Sequence, residues 1–277
     1  MQSELAASIV LYKTPERLWK SAVKSFLESY PGGHVFLIDN SPSLKTAGIP
    51  LYDRRIEYIA NRKNIGFGAA HNVAIRMSQQ RGYPFHLVLN PDVYFKKEVI
   101  PSLLRMMGTH ADVGLAMPKV LYPDGRIQHL CKLLPSPQHL LIRRFIPFHG
   151  RFLPKMSQDY ELKFSGYDRV MDVPCLSGCF MMLRNDCLKK IGLFDEGIFL
   201  YTEDIDLSRR IHKHFRTVYF PEVSIYHHHE RGSYKRLMPF LFHVSSAITY
   251  FNKWGWFHDP ERDAVNQKTL YQLSKLL

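Results

Sequence analysis

The first half of the chain alternates short apolar runs with longer stretches in which hydrophobic residues recur at helical spacing. The apolar runs predict buried strands at 7–12, 34–38, 56–59 and 86–89. Helices are predicted between them, at 14–29 with Thr14 as cap and Pro15 at the first position, and at 69–80. This alternation predicts an α/β fold in which helices cover both faces of a mainly parallel sheet.

The fourth predicted strand is interrupted by the sequence Asn-Pro-Asp at positions 90–92. Because proline cannot donate to a sheet ladder, the strand is predicted to end there and to leave Asp92 just beyond it. Tyr12, Asp39 and Asn64 also lie at or just after predicted strand ends. Ligands of parallel sheets bind outside the carboxyl ends of the strands. These four residues are therefore predicted to follow one edge of the sheet, beside a ligand cleft.

Two features near this edge have more than one interpretation. Asp39 either accepts a hydrogen bond from the ring N–H of a uracil or thymine base, or begins an Asp-Asn-Ser-Pro turn. The stretch NIGFGAAHN, residues 64–72, is a glycine-rich loop entering a helix. Gly66 and Gly68 are expected to let the backbone approach a ligand, while the helix start offers free N–H groups.

A third acidic group follows the aromatic run GIFLYT. Thr202 is a candidate N-cap, and Glu203, Asp204 and Asp206 suit the first turn of a helix. These residues fit a well-capped helix. They also fit a site in which at least one carboxyl faces a partly desolvated pocket, because burial raises a carboxyl pKa and makes the group a better base.

Three consecutive histidines, residues 227–229, follow a strand predicted at 217–220. Alternation places His227 and His229 on one side of the chain and His228 on the other. Asp92 needs a reason to be ionised at a cleft edge, and Mg²⁺ or Mn²⁺ supplies one because these ions take one or two carboxylates plus substrate phosphates. One histidine is expected to complete such a metal site.

Composition narrows the choice of partners. The 277-residue chain is 45% hydrophobic and carries a formal net charge of +12, which indicates either anionic partners or a basic soluble surface. The cysteines lack the second Cys or His pair of a zinc site and are predicted to be reduced core thiols. They are Cys131, Cys175, Cys179 and Cys187.

Taken together, these stretches resemble the family 2 glycosyltransferases of the GT-A fold, in particular the branch with the bacterial rhamnosyltransferases that build surface polysaccharides. The resemblance spans about residues 7–233 and rests on the order and spacing of its pieces. Lys13 departs from the family pattern, where Asn is common, and the Gly usual after Arg209-Arg210 is missing. The matching pieces are SIVLY, VFLIDNSP, NIGFGAAHN, LVLNPDVYF, LSGCFMMLRNDCLKKIGLFDEGIFLYTEDIDLSRR and YFPEVSIYHHH.

The resemblance implies roles for individual residues. The metal-binding Asp-x-Asp position of the family falls on 90–92, so Asp92 is expected to bind Mg²⁺ or Mn²⁺, and the late family histidine aligns with His227 as a second ligand. The family's Glu-Asp motif matches Glu203-Asp204, with Asp204 at the position of the base. Contacts to the nucleotide sugar are expected from Tyr12, Asp39, Asn64, Gly66, Phe67, Asn72 and Asn90.

The resemblance also implies the reaction. One base and no evident covalent nucleophile predict inversion at the anomeric carbon, which is the family's stereochemistry. The expected donor is dTDP-L-rhamnose, with UDP-sugars second. The expected acceptor is a hydroxyl of a glycan or of a polyprenyl-diphosphate-linked glycan, in the synthesis of bacterial surface polysaccharide such as the O-antigen of lipopolysaccharide.

The predicted organisation is a GT-A catalytic domain at 1–230 and a C-terminal helical extension at 231–277. Within the domain, a nucleotide-sugar half is expected at about 1–120 and an acceptor half at about 121–230. The start of the chain lacks signal-peptide features, and no segment has the roughly 20 apolar residues of a membrane span, which favours a cytoplasmic chain. The stretch 231–256 mixes basic and aromatic residues and is either a helix packed on the core or an interfacial segment at the inner face of the membrane.

Two rival classes are less consistent with the sequence. A nucleotidyltransferase would carry a glycine-rich basic loop after the first strand, where this chain has LYKTPERL. A nucleic-acid-binding module would gather its basic residues with aromatics on one stripe, whereas here they are spread. No nucleic-acid partner is therefore expected.

Overall fold

The apolar runs of the first half form strands close to their predicted positions. The chain is described here by a computed structural model, over residues 4–42, 53–142, 158–228 and 237–275. Nine strands of these residues form one sheet. They are β1 (Leu5–Leu11), β2 (His34–Asp39), β3 (Ile56–Ala60), β4 (Phe85–Leu89), β5 (Val93–Phe95), β6 (Val113–Leu121), β7 (Met171–Asp172), β8 (Phe180–Arg184) and β9 (Arg216–His227).

Helices pack against this sheet. The predicted second helix begins two residues earlier than expected, at Phe67, and the segment after β6 contains short helical turns at Gln138–Ile142 and Lys163–Ser165. The longer helices are α1 (Glu16–Ser29), α2 (Phe67–Gln80), α3 (Val99–Thr109), α4 (Asn185–Ile191), α5 (Glu203–His212), α6 (Leu237–Trp254) and α7 (Pro260–Ser274).

Of the two threonine caps predicted from the sequence, Thr14 is wrong and Thr202 is confirmed as the N-cap residue, although its side chain makes no capping hydrogen bond. Helix α1 begins at Glu16, after Pro15 rather than at it, and the Thr14 hydroxyl accepts a hydrogen bond from the backbone N–H of Tyr12. Thr202 does precede α5, but its buried hydroxyl donates to the carbonyl of Ser246 in α6. In both places a tertiary or turn contact takes the side-chain oxygen that would otherwise cap the helix.

The strand order is β3-β2-β1-β4-β8-β6-β9-β5, with β7 paired to β9. Strands β1 to β4 pair in parallel, as the alternation of strands and helices predicted, and β6 pairs in parallel with β9. Strands β5, β7 and β8 enter antiparallel, so the second half of the sheet is mixed. The alternating pattern is confined to the first half of the sequence, which is why the antiparallel pairs gave no signal.

The parallel register brings the predicted polar residues to one edge. Leu11 of β1 pairs with Asp39 of β2, and Asp39 pairs with Ala60 of β3, so these strands end side by side. Strand β9 is longer than predicted and includes His227, which pairs with Val93 of β5. The residue after β4 and the end of β9 therefore meet at the same edge.

The described part of the C-terminal extension packs on the preceding part of the fold. Ala247, Tyr250 and Phe251 of α6 are fully buried against a small cluster that includes Leu134 and Ile205. None of the described helices combines the length and apolar composition that crossing a membrane requires. Arg231, Lys235 and Arg236, the basic residues expected to meet a membrane, lie outside the described residues.

Candidate active site

An open cleft of about 280 Å³ lies at the predicted edge of the sheet. The cleft is lined by the end of β1, the first turn of α1 and the turn between β4 and β5. Four predicted site residues are brought together there: Phe67, Asn90, Asp92 and His227. The full lining is Val10, Thr14, Leu18, Phe67, Asn90, Pro91, Asp92 and His227.

Asp92 and His227 face each other in this cleft. The Oδ1 of Asp92 lies 3.4 Å from the Nε2 of His227. The pairing is fixed by the backbone, because Val93 is in register with His227 and the N–H of His228 donates to the carbonyl of Asp92. His227 is buried, whereas His228 is exposed and lies against the ring of Tyr94, so the predicted alternation holds for these two residues. His229 lies outside the described residues.

Gln128, from the segment after β6, fixes the imidazole of His227. The Gln128 amide nitrogen donates to the backbone carbonyls of His227 and Leu121, so its amide oxygen must face the Nδ1 of His227, at 3.0 Å. An amide oxygen only accepts, so Nδ1 carries the proton in a neutral ring. Nε2 is then the nitrogen that faces Asp92, so it is the one available to a metal ion bound between the two side chains.

A divalent cation fits this pair in ligand chemistry. A carboxylate oxygen and a neutral imidazole nitrogen are both ligands that such ions accept. Among the residues described, no group of three or more His, Cys, Asp or Glu side chains could hold a metal ion. Two protein ligands suit such an ion, because Mg²⁺ usually takes one or two carboxylates and completes its shell with water or substrate phosphate oxygens.

The Glu203–Asp204 pair begins helix α5, as predicted, but its two carboxyl groups have different surroundings. Glu203 is buried, and its Oε2 has no hydrogen-bond partner. Asp204 is half-buried, and its oxygens accept from the backbone N–H groups of Gly178, at 2.9 Å, and Ile205, at 2.8 Å. Only Asp204 is therefore both anchored and open to a reacting group.

The pKa values of the pair follow from these surroundings. Burial, and after it the negative charge of Asp204, raises the pKa of Glu203 to about 8, so this carboxyl is mainly protonated at neutral pH. Burial also raises the pKa of Asp204, but the positive charge of Lys132 and the N–H groups of Gly178 and Ile205 oppose the rise. A protonated carboxyl cannot accept a proton, so Asp204 is the better candidate base.

Gly178 connects Asp204 to the cleft. A side chain at Gly178 would have its Cβ 3.4 Å from the Cβ of Asp204 and 3.4 Å from the ring of Phe67, which lines the cleft. The next residue, Cys179, accepts a backbone hydrogen bond from Asn90 through its carbonyl. Burial raises the pKa of the Cys179 thiol to about 12, and the negative charges of Asp92 and Asp204 add to this rise. Residues 178–179 therefore contact Asp204 on one side and Asn90, two residues before Asp92, on the other.

The glycine-rich loop contacts another part of the chain at Gly66. Gly66, at φ +90°, lies so close to Phe199 that an added Cβ would be 2.7 Å from the Phe199 carbonyl oxygen. The N–H of Phe67 donates to that same carbonyl, and the N–H of Gly66 donates to the side chain of Asn64. The loop before α5 therefore packs directly on the start of α2 at Gly66, and the approach of a ligand to these glycines stays a prediction.

Three other residues were predicted to contact the nucleotide sugar: Asn72, Tyr12 and Asp39. Asn72 is buried, and its amide bonds to the backbone of Phe194 and to the carboxylate of Glu196, which makes it a brace for the loop after α4. Tyr12 is about half exposed at the end of β1. Asp39 is buried at the end of β2.

The structure contains the turn that was one of the two interpretations of Asp39. Its Oδ1 accepts from the N–H of Ser41, so the predicted turn is present. Its Oδ2 accepts from the hydroxyl of Tyr58, at 2.7 Å. Its contact with a nucleobase stays a prediction.

Comparison with known proteins gives the family. A family model described as "Glycosyltransferase like family 2" matches residues 9–238. The chain belongs to this family. The sheet order and flanking helices of this glycosyltransferase are those of the GT-A fold, as its similarity to solved structures shows.

Two curated relatives of this glycosyltransferase are named as rhamnosyltransferases. It is 27% identical over 246 residues to an N-acetylglucosaminyl-diphospho-decaprenol L-rhamnosyltransferase of Mycobacterium tuberculosis, covering 82% of this chain and 78% of the relative. It is 24% identical over 226 residues to the rhamnosyltransferase WbbL of Escherichia coli, covering 78% and 81%.

Among solved structures, similarity extends to GalNAc-T7, crystallised with UDP, GalNAc and Mn²⁺, with a TM-score of 0.59 and 14% identity. The match covers 80% of this glycosyltransferase but only 42% of the GalNAc-T7 chain. This likeness shows the shared fold.

Three residues near the site were not found from the sequence: Gln128, Lys132 and Gly178. Gln128 and Lys132 lie in the weakly patterned segment after β6, and Gly178 lies in a run that looked like buried core. Their contacts are with residues far away along the chain. Gln128 and His227, for example, are 99 positions apart. No local spacing rule detects such contacts.

Proposed function

We propose that this glycosyltransferase transfers L-rhamnose, with inversion, from dTDP-L-rhamnose to a hydroxyl of a glycan or lipid-linked glycan in the synthesis of surface polysaccharide. The observation that carries the proposal is the half-buried Asp204 carboxylate, held by the N–H of Gly178, which lies against Phe67 in the lining of the cleft that contains the Asp92–His227 pair. The choice of sugar is supported by the two relatives named as rhamnosyltransferases.

Asp204 is the proposed base. Its carboxylate takes the proton from the acceptor hydroxyl while that oxygen forms a bond to the anomeric carbon and the bond to the diphosphate oxygen breaks. Because one base acts in a single displacement, the configuration at the anomeric carbon inverts. Glu203 is buried and burial raises its pKa, which favours its protonated form, so we assign it a supporting role next to Asp204.

Asp92 and His227 are the proposed ligands of Mg²⁺ or Mn²⁺, with Gln128 holding the His227 ring in place. When bound, the cation offsets the negative charge that grows on the diphosphate leaving group. Asp39 and Tyr12 are proposed to hold the nucleobase, and Asn64, Gly66, Phe67 and Asn90 are proposed to lie along the rest of the donor. Asn72 is proposed to act on the donor only through the loop that it braces.

A UDP-sugar is the alternative donor. Uracil and thymine present the same ring N–H to a carboxylate such as that of Asp39, so the proposed base contact does not distinguish between them. The difference would come from the thymine methyl group and from the sugar. Direct comparison of donors is therefore required.

A polyprenyl-diphosphate-linked glycan is the proposed acceptor, and it would place the protein at the inner face of a bacterial membrane. The name of the mycobacterial relative describes such an acceptor. One side of α6 exposes the apolar side chains of Met238, Leu241 and Ile248. The basic residues Arg231, Lys235 and Arg236 precede this helix in the sequence. Together they support a peripheral contact with anionic lipid.

The experiment that tests the proposal is a donor screen. Release of nucleoside diphosphate is measured from dTDP-L-rhamnose and from a set of UDP-sugars, with Mg²⁺, with Mn²⁺ and with excess EDTA. We expect turnover to be highest with dTDP-L-rhamnose and to require the cation. Turnover of a UDP-sugar alone would shift the donor, and full activity in EDTA would contradict the metal site.

Three variants test the residue roles. Asp204→Asn keeps the shape but removes basicity, so turnover should fall about 100-fold or more with donor affinity little changed. Glu203→Gln, a matched amide change next to it, should retain most activity. If Glu203→Gln is inactive while Asp204→Asn is active, the assignment of the base is wrong by one residue. Asp92→Ala should lose metal-dependent donor binding while remaining folded.

A further inference from the structure

Asp206 lies in the first turn of α5, two residues after the proposed base, and is completely buried. Its Oδ2 accepts from the guanidinium Nε of Arg210, at 2.9 Å. Its Oδ1 accepts from the indole Nε1–H of Trp254, at 2.8 Å, and lies 2.9 Å from the Nζ of Lys253. Two of these three donors come from the end of α6, so the C-terminal extension reaches the helix that carries Asp204.

The same donors hold the loop that leads into α5. Lys253 also pairs with Asp195, at 2.7 Å, and Arg210 donates to the backbone carbonyls of Ile191 and Leu193. We call Asp195, Asp206, Arg210, Lys253 and Trp254 the Asp206 cluster. It joins the end of α6, the loop after α4 and the first turn of α5 into one hydrogen-bonded unit.

A second set of contacts fixes the turn just before Glu203. The Thr202 hydroxyl donates to the carbonyl of Ser246, at 3.1 Å, and the N–H of Leu200 donates to the Ser246 hydroxyl, at 3.3 Å. Arg209 lies about one helical turn after Asp206 in α5. It makes a bidentate pair with Asp259, and its guanidinium carbon lies 4.1 Å from the ring centroid of Trp254. Helix α6 therefore contacts α5 on both sides of the Glu203–Asp204 pair.

We propose that Trp254 and Lys253 are positioning residues for Asp204. A buried carboxylate without its donors would be strongly disfavoured, so loss of either contact would move or loosen the first turn of α5. Because Asp204 and Asp206 share that turn, the displacement would pass to the Asp204 carboxylate and to its bond with Gly178. A shift of about 1 Å at a reacting group lowers turnover about 100-fold while leaving distant binding contacts intact.

This inference rests on the proposed function for its activity readout, and the chain offers a matched control. Trp254→Phe removes the indole N–H donated to Asp206 and keeps an aromatic ring. Trp256→Phe makes the same chemical change two residues away, just after α6, where the indole N–H donates to Asn252 near the end of α6, at 2.9 Å. Both variants are compared with the wild type in full-length protein.

We expect Trp254→Phe to lower kcat about 10-fold or more. The KM for the donor should stay within about twofold, because the cleft residues are untouched. Trp256→Phe should leave both constants unchanged. In hydrogen exchange, the peptide 199–212 should exchange faster in Trp254→Phe than in Trp256→Phe, with the other peptides unchanged. Equal kcat values in the two variants, or a loss in Trp254→Phe that only follows a smaller folded fraction, would overturn the proposal.

The exchange measurement needs no substrate, so it separates this proposal from the proposed function. If the wild type turns over no nucleotide sugar, the proposed function fails, and the exchange comparison still decides whether Trp254 holds the first turn of α5. If Trp254→Phe does not fold, Lys253→Met and Lys253→Arg replace it. If Lys253 positions Asp204, Lys253→Met should lower kcat, whereas Lys253→Arg, which keeps the charge, should retain most of the wild-type kcat. Equal activity of those two variants contradicts the proposal.

Discussion

At the level of single residues, Gln128 and Lys132 act on the two candidate catalytic groups from one segment after β6. Gln128 sets the tautomer of His227, and Lys132 places a positive charge where it lowers the pKa of Asp204. Asp92, Asp204 and His227 were named from the sequence because they follow strand ends or match family motifs. Gln128 and Lys132 were not, since their function comes from contacts with distant residues.

Removing the charge of Lys132 should change the pH dependence of turnover. Burial raises the pKa of Asp204 and Lys132 lowers it, so Lys132→Met should raise it further. The base acts only when deprotonated, so the acid limb of the kcat/KM profile should move to higher pH. Lys24→Met, on the exposed face of α1, provides the same change at a surface site. A profile that does not move would show that Lys132 has no influence on the base.

Loss of the Gln128 amide should weaken the response to metal. Gln128→Leu keeps a similar size but removes the acceptor that fixes the proton on His227 Nδ1. Removal of such an orienting partner typically costs about 10- to 100-fold in metal affinity. We expect the Mn²⁺ concentration needed for half-maximal activity to rise by that factor. An unchanged metal titration would indicate that His227 is not a ligand.

At the level of elements, the strands and helices of the first half were predictable because burial imposes a period on the sequence. Their ends were less predictable. Thr14 and Thr202 are good cap residues by type, yet each uses its hydroxyl for another contact. The glycines of the loop before α2 were correctly identified as positions of close approach. Gly66 lies against Phe199 and Gly68 against Phe194, residues that only the folded chain brings there.

The two kinds of glycine in this chain should respond oppositely to alanine. Gly66 has φ +90° and ψ 170°, a region nearly restricted to glycine, and an added Cβ would meet the Phe199 carbonyl. The backbone strain alone costs about 1–3 kcal/mol, so Gly66→Ala should lower the free energy of unfolding by at least that amount. Gly108, near the end of α3, has open space around its Cβ position.

Gly108→Ala is therefore the control, and it should raise the free energy of unfolding by up to about 1 kcal/mol. Urea unfolding of both variants at one pH gives the comparison. A stable Gly66→Ala protein would mean that the loop and Phe199 do not pack as described.

At the level of the whole molecule, the described C-terminal helices pack on the rest of the fold through buried contacts. The sequence left open whether this tail packs on the core or lies on a membrane, because its aromatic and basic residues suit both. The structure shows that residues 237–275 pack through a buried guanidinium: Arg209 of α5 pairs with Asp259, and both are almost completely buried. Such long-range pairing of Arg209 with a residue 50 positions away has no signature in local sequence pattern.

Breaking this buried pair should destabilise the protein strongly. Asp259→Ala leaves the Arg209 guanidinium with Glu261 as its remaining carboxylate and also removes the side-chain cap of α7. Loss of one partner of a buried pair costs about 3–5 kcal/mol. Asp263→Ala removes an exposed carboxylate from its pair with Arg262 and should cost less than about 1 kcal/mol. Similar unfolding free energies for the two variants would show that the tail is not held by Arg209.

The outer side of α6 should bind anionic membranes. Met238, Leu241 and Ile248 are each more than 40% exposed on this helix, although its opposite side is buried. The basic residues Arg231, Lys235 and Arg236 precede it in the sequence and lie outside the described residues. Packing on the core and contact with lipid are therefore compatible, since they use opposite sides of one helix.

We expect co-sedimentation with anionic liposomes at low salt and loss of binding at high salt. Each basic residue near such a surface contributes about 1 kcal/mol, so changing Arg231, Lys235 and Arg236 to Glu should weaken binding about 100-fold or more. Leu241→Glu with Ile248→Glu should weaken it as well, whereas Tyr271→Glu, an exposed change on α7, should not. Absence of binding at low salt would leave α6 as a purely structural helix, because an interface that relies on both charge and apolar side chains is strongest under that condition.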